Sequence, residues 1–250
     1  MLNGDKPTLM FRFLKMWIKL IYPKTRVVGE KNLPSEPAII VGNHSQMNGP
    51  IVAEIYYPRH RYTWCAGEML ELRKVPAYSF KDFWSDKPPR SRWFYKIASY
   101  LIAPVAVCVF NNAHTIGVGR GGRVVKTFKD SVKAMESGAD IIIFPEENAP
   151  YNNIIYDFQK GFTDLARLYY KRTGKEAQFV PVYIAPKFKT MYIGTPTTFS
   201  AHSDAAEEQE RVRKYLMDEI TKIAESLPLH TVVPYRNMGR KNYPKNRGES

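Results

Sequence analysis

Asp140-Ile141-Ile142-Ile143-Phe144-Pro145-Glu146-Glu147 is the stretch on which the fold turns. Four β-branched or aromatic residues follow one another between Gly138 and Pro145, a run of strand length rather than helix length. A strand that reads as continuously apolar is buried on both faces, which is the habit of parallel sheets covered by helices. Working outward, residues 38–41 (Ala-Ile-Ile-Val) form a second such run, ending at Gly42-Asn43-His44. Residues 179–184 and 191–193 read as later strands, 62–66 and 116–120 as short extended pieces. Between them lie helical patterns. In 122–137 the stripe is Val124, Val125, Phe128, Val132 and Met135, closed by Gly138. A second helix covers 160–172, and a third covers 205–227 with Val212, Leu216, Ile220, Ile223 and Leu227 inward. Strands alternating with helices predict an α/β domain with a largely parallel sheet flanked by helices.

The first segment, 8–22 (TLMFRFLKMWIKLIY), differs in kind. Arg12, Lys15 and Lys19 share one helical face, and Phe11, Phe13, Leu14, Trp17, Ile18 and Ile21 crowd the rest. A spanning helix needs about 20 apolar residues, so this short, charged segment reads as an amphipathic helix in a membrane interface. The competing reading is a helix packed on the domain with snorkelling lysines. Residues 97–110 are apolar but number only 14 and contain Pro104, which predicts a buried or interfacial helix and no span. The expected organisation is an interface segment over 1–30, an α/β domain over 31–234, and a basic, frayed tail over 235–250.

The 250 residues carry 37 basic and 24 acidic side chains, a formal charge of +13 that suits an anionic surface, an acidic substrate or nucleic acid. At 44% apolar and 13% aromatic, the chain can bury a core, which excludes disordered and collagen-like classes. Cys65 and Cys108 have no metal-ligand spacing and suggest neither a disulfide scaffold nor a zinc site, in keeping with a cytoplasmic setting. No secretory signal is expected.

His44 stands just past a buried strand, where open α/β sheets place their sites, and is a candidate general base. Glu146 and Glu147 occupy the equivalent position after 140–144; the plain alternative there is a solvated loop.

These pieces together resemble the glycerolipid acyltransferase family, which includes the lysophosphatidic acid acyltransferases. The resemblance runs over 31–193 and rests on four blocks in order. They are Asn43-His44-Ser45-Gln46-Met47-Asn48-Gly49-Pro50, Ile116-Gly117-Val118-Gly119-Arg120, Phe144-Pro145-Glu146 and Phe179-Val180-Pro181-Val182. The resemblance implies acyl transfer from coenzyme A or acyl carrier protein to a hydroxyl of a lysophospholipid or glycerol-phosphate-like acceptor. His44 would be the base, Arg120 would hold the acceptor phosphate, and Glu146 would help bind its polar head. Asn43, Asn48 and Gly119 fall among the acceptor-binding positions. No metal or cofactor is implied beyond the acyl thioester, and the expected setting is peripheral, on the cytoplasmic face of a membrane bearing anionic lipid.

The chain departs from the pattern at two places. Gly49 stands where the family has the Asp that orients the His, and Glu147 stands where it has Gly. Loss of an orienting carboxylate costs about 10⁴ in rate in the serine protease case. Glu147 or Glu146 could replace it, Asn48 or a backbone carbonyl could hold the tautomer, or catalysis could be lost with lipid binding kept. Two rivals remain outside the family. Gly117 to Gly122 spells G-x-G-x-x-G with Asp140 further on, but the preceding strand is weak and Asp140 begins a strand instead of ending one. The basic, aromatic stretch from Trp84 to Tyr95 could stack bases, yet no nucleic-acid motif accompanies it, so no nucleic-acid partner is expected.

Overall fold

The computed structural model describes residues 4, 7–84, 87–119 and 121–247. In chain order the elements begin with α1 (Leu9–Ile21), β1 (Arg26–Val28), β2 (Ile39–Gly42), α2 (Asn48–Tyr56), β3 (Arg61–Ala66) and α3 (Val75–Ser79). Next come α4 (Arg92–Asn112), β4 (Thr115–Val118), α5 (Val124–Glu136), β5 (Asp140–Ile143), β6 (Glu146–Pro150) and β7 (Tyr156–Phe158). The last are α6 (Asp164–Thr173), β8 (Gln178–Ala185), β9 (Thr190–Ile193), β10 (Thr197–Thr198) and α7 (Ala205–Ser226). The class is α/β, mostly parallel and flanked by helices. The elements gather in two compact units interleaved along the chain, Met1–Ile21 with Thr63–Asp130 and Tyr22–Tyr62 with Ser131–Ser250.

In the second unit the strands run in the order β1-β9-β8-β2-β5, with β10 beside β8. β2 lies parallel to both its neighbours, Ile39 opposite Phe179 of β8 and Ile141 of β5. Every residue of β2 and β5 is buried, as continuous apolar runs require. Val52 and Ala53 of α2 join Ile40, Ile142, Val180 and Val182 in one cluster. Val212, Leu216 and Ile220 of α7 are fully buried, and α7 packs on β8. The register sets the site: Val41 pairs with Ile143, so Gly42-Asn43-His44 and Phe144-Pro145-Glu146 leave the sheet side by side at its carboxyl edge.

At the opposite end of β5, Asp140 is fully buried. It accepts hydrogen bonds from the Ala38 N–H (2.8 Å) and the Tyr57 hydroxyl (2.6 Å), and pairs with Arg59 (3.2 Å). This is a structural pin. A ribose-binding acid would face solvent, so the G-x-G-x-x-G rival loses its acid.

In the first unit β3 and β4 pair in parallel, Thr63 opposite Thr115. The helix expected over 97–110 extends over Arg92–Asn112, because Trp93 to Lys96 and Asn111-Asn112 continue it and Pro104 is accommodated inside. With the turn before it, Pro89–Asn112 is long and apolar enough to cross a membrane, and 11% of its most apolar window is buried. Ser99 and Ala103 face inward, Ala103 clustering with Met69 and Val75, while Trp93, Phe94, Ile97, Tyr100 and Leu101 are exposed. α1 buries only Phe11; Phe13, Trp17, Leu20 and Ile21 are exposed, so its apolar face is not covered by the fold. The Thr8 N–H donates to Asn112 Oδ1 (2.7 Å), tying the start of α1 to the end of α4.

Candidate active site

The site is built on the turn between β2 and α2. Asn43 prolongs the β2–β8 pairing: its Oδ1 accepts the Ile184 N–H (2.7 Å) and its Nδ2 donates to the Ile184 carbonyl (3.1 Å). Buried and doubly bonded to main chain, its side chain is committed to the β2–β8 junction. Ser45 and Gln46 are both left-handed, with φ of 48° and 54°. Each such non-glycine residue costs about 1–2 kcal/mol, and the pair coils the backbone tightly. The Gly49 N–H then reaches the His44 carbonyl (2.9 Å), and the Asn48 N–H and Nδ2 both reach the Ser45 carbonyl (3.1 and 2.9 Å). Asn48 Oδ1 accepts from the Tyr22 hydroxyl (2.8 Å). Asn48 is therefore a turn residue and does not hold the imidazole.

His44 is half-buried between two aromatic edges, Phe144 at 5.6 Å and Tyr235 at 5.7 Å between ring centroids. Tyr235 in turn meets Tyr156 at 5.7 Å. Burial lowers the His44 pKa below the usual 6.5, opposed by the Gln46 backbone carbonyl, so the ring is neutral at pH 7. Its Nδ1 is buried and makes no hydrogen bond among the described residues. The Gln46 carbonyl favours the charged ring, and burial outweighs it. Among the described residues no carboxylate hydrogen-bonds or pairs with the imidazole.

Glu146, which the resemblance gives to the acceptor's polar head, is engaged here with main-chain N–H groups. It is buried, and its Oε2 accepts the His44 backbone N–H (2.5 Å) while its Oε1 accepts the Tyr156 N–H (3.0 Å). Burial pushes its pKa up to about 7, held back by those two donors. It clamps the β2 turn to β7. Strand alternation turns the next residue the other way: Glu147 is exposed, without a hydrogen bond or ion pair among the described residues. The structure brings Glu147 to no part of the imidazole.

Gly49 explains the missing Asp. A Cβ there would lie 2.6 Å from the His44 carbonyl oxygen, 2.9 Å from the Asn43 oxygen and 3.0 Å from Phe144. Two of these neighbours are backbone, so the turn as coiled admits only glycine. The space around the turn is also small, with about 60 Å³ beside Asn48 and about 10 Å³ beneath Phe144. Neither holds an acyl chain.

Arg120 lies outside the described residues. The Gly119 N–H donates to Thr127 Oγ1 (3.1 Å), whose hydroxyl donates to the Gly117 carbonyl (2.9 Å), so this glycine presents no spare donor to a phosphate.

Sequence reasoning missed the other side of the site. The tail expected to fray is held through Arg247. Asn246 Nδ2 donates to the Ala224 carbonyl (2.8 Å), Asn246 Oδ1 accepts the His230 N–H (2.9 Å), and the Arg247 guanidinium donates to the Glu225 carbonyl. Between these anchors the chain runs over the His44 turn. Gln46 Nε2 donates to the Arg236 carbonyl (3.3 Å), and Tyr243 donates to Gln46 Oε1 (3.2 Å). These are contacts over nearly two hundred positions, and no local pattern in the sequence announces them.

The chain is similar in structure to the 1-acyl-sn-glycerophosphate (LPA) acyltransferase PlsC from Thermotoga maritima. The likeness has a TM-score of 0.46 at 15% sequence identity and covers 85% of this chain and 76% of that chain. No family model matches the chain, and no curated protein matches it.

Proposed function

We propose that this chain is an acyltransferase that moves an acyl group from coenzyme A or acyl carrier protein to a hydroxyl of a lysophospholipid or glycerol-phosphate-like acceptor. The observation that carries the reading is His44, neutral at pH 7 and fixed at the carboxyl edge of the sheet inside the Asn43-His44 motif block. His44 Nε2 takes the proton of the attacking hydroxyl; the oxygen adds to the thioester carbonyl; the C–S bond breaks and the imidazolium returns the proton to the thiolate. For Nε2 to act as base the proton must sit on Nδ1, and the Gln46 backbone carbonyl is near enough to favour the charged ring. Such contacts are often long in unliganded sites and tighten in the reacting complex. The sequence motif assigns the acceptor phosphate to Arg120.

The exposed apolar face of α1, joined by that of α4, suits docking on the cytoplasmic leaflet, with the +13 charge attracted by anionic lipid. α4 packs one side on its own unit through Ser99 and Ala103, which favours lying along the surface over crossing it. The protein is then peripheral.

The test is transfer from labelled acyl-CoA and acyl carrier protein to a panel of lysophospholipids, wild type against His44→Ala. The expected loss is about 10²–10⁴-fold; equal rates would remove His44 from the mechanism. A second reading, lipid binding without catalysis, is favoured by the absence of a carboxylate on the imidazole among the described residues. Wild type that binds vesicles and transfers nothing to any acceptor would replace the first reading with the second.

A further inference from the structure

We propose that the segment from Thr231 to Arg247 is a phosphate-binding arm of the His44 site, with Arg236 as its principal cation and a phosphorylated substrate as its ligand. The inference rests on the acyl-transfer reading for the identity of that substrate, and on geometry for the rest.

The arm is closed at its base and fastened at its tip. At the base Thr231 bridges Lys245, the Val232 N–H donates to the Pro244 carbonyl (2.8 Å), and the Asn246 N–H donates to the His230 carbonyl (3.1 Å). At the tip both arms of the loop meet one side chain, Gln46, two positions beyond His44. Tyr235 lies edge-on to the imidazole, so the next residue is delivered to the rim of the site.

What the arm delivers is positive charge. It holds Arg236, Arg240, Lys241, Lys245 and Arg247 and no acidic residue. Arg247 is engaged by main-chain carbonyls at the base. Arg236, Arg240 and Lys241 are exposed, and their side chains have no partner among the described residues. Arg236 is bonded through its carbonyl alone, which fixes the backbone and leaves the guanidinium to a ligand. A guanidinium offers a planar fork of donors matched to phosphate oxygens, and the arm's own residues include no carboxylate to compete for it. Neither Glu147 nor Gly119 supplies such a group.

Phosphate could come from the acceptor's head or from the adenosine bisphosphate part of a coenzyme A donor, and two probes separate them. Hexanoyl lysophosphatidic acid and adenosine 3′,5′-bisphosphate are titrated calorimetrically into the full chain. The proteins compared are wild type, Arg236→Ala, and Arg236→Ala/Arg240→Ala/Lys241→Ala. The expected result is a Kd raised about tenfold for one probe in the single variant and further in the triple, which names the source. Thermal midpoints should not move, because these side chains hold nothing. Unchanged affinity for both probes in the triple variant, or no binding of either to wild type at millimolar concentration, overturns the arm. Transfer assays keep the two readings apart. Arg236-dependent binding without transfer in wild type defeats the acyltransferase alone. Transfer at wild-type KM in the triple variant, with phosphorylated donor and acceptor, defeats the arm alone.

Discussion

Replacing Gly49 by Asp restores, on paper, the carboxylate that the family motif carries. The structure predicts that it restores nothing. The added Cβ would stand 2.6 Å from the His44 oxygen and 2.9 Å from the Asn43 oxygen, both main chain, where ordinary contacts begin near 3.4 Å. Relief requires uncoiling the turn that the left-handed Ser45 and Gln46 create, and with it the Gly49–His44 hydrogen bond. Overpacking of this kind costs about 1–3 kcal/mol. Two smaller effects push the other way. Gly49 sits in the first turn of α2, where Ala gains about 1 kcal/mol of helix propensity over Gly and Asp gains about 0.3–1 kcal/mol from the macrodipole. Net of these gains, Gly49→Ala and Gly49→Asp are both destabilised by about 1 kcal/mol, a fall in Tm of roughly 2–4 °C for a chain of this size. Scanning calorimetry on both variants, with transfer rates beside it, decides the matter. Gly49→Ala as stable as wild type, or Gly49→Asp faster in acyl transfer, would refute the reasoning, because either shows room at Cβ that the turn does not have.

Glu146 has its pKa raised by burial from 4.5 to about 7, so between those values the folded chain holds a proton that the unfolded chain has released. Stability therefore falls as pH rises through that window, by about 3 kcal/mol, and Glu146→Gln should flatten this component of the urea-midpoint profile; a parallel profile would sink the assignment. His44, with its pKa lowered, should leave kcat/KM level at and above pH 7 and let it fall only below about 6.5, and an acid limb above 7 would contradict the buried base. Trp17→Ser with Phe13→Ser in α1 should cut sedimentation with anionic vesicles severalfold, since both rings are about half exposed; unchanged sedimentation would take α1 out of the docking surface.

How much of this was legible follows from where each residue's constraint originates. β2, β5 and β8 could be read because burial on both faces writes itself as an unbroken apolar run, and the stripe of α7 because one face of a helix is buried. The β6–β7 hairpin could not, since Glu-Glu-Asn-Ala-Pro exposes four of its five residues and carries no alternation of polarity. For the same reason the two glutamates were interchangeable in sequence; only the pleat separates Glu146, turned in to the His44 N–H, from Glu147, turned out. The motif letters at 43 and 48 were legible as a block, but their side chains fold back on Ile184 and Ser45, a use that depends on coiling at Ser45 and Gln46. The tail looked frayed because its composition is polar, while its order comes from Asn246, which reaches back to Ala224 and His230, and from Gln46, which is distant in sequence.

The absent Asp and the tight turn then become one feature. In a triad-like site the carboxylate does two jobs: it orients the ring and it stabilises the imidazolium. Here orientation has passed to other groups. Glu146 holds the His44 N–H, Gly49 holds its carbonyl, and Phe144 and Tyr235 bound the ring on two sides. No carboxylate among the described residues takes over stabilisation of the imidazolium: the Gln46 carbonyl favours the charged ring without outweighing burial, and the Glu146 carboxyl is engaged with the His44 and Tyr156 N–H groups. The chemistry open to such a base is proton removal from a well-placed hydroxyl, with the charge on the ring short-lived. That places the burden of rate on substrate positioning, and positioning of a phosphorylated substrate is what a cationic arm fastened to the same turn can provide.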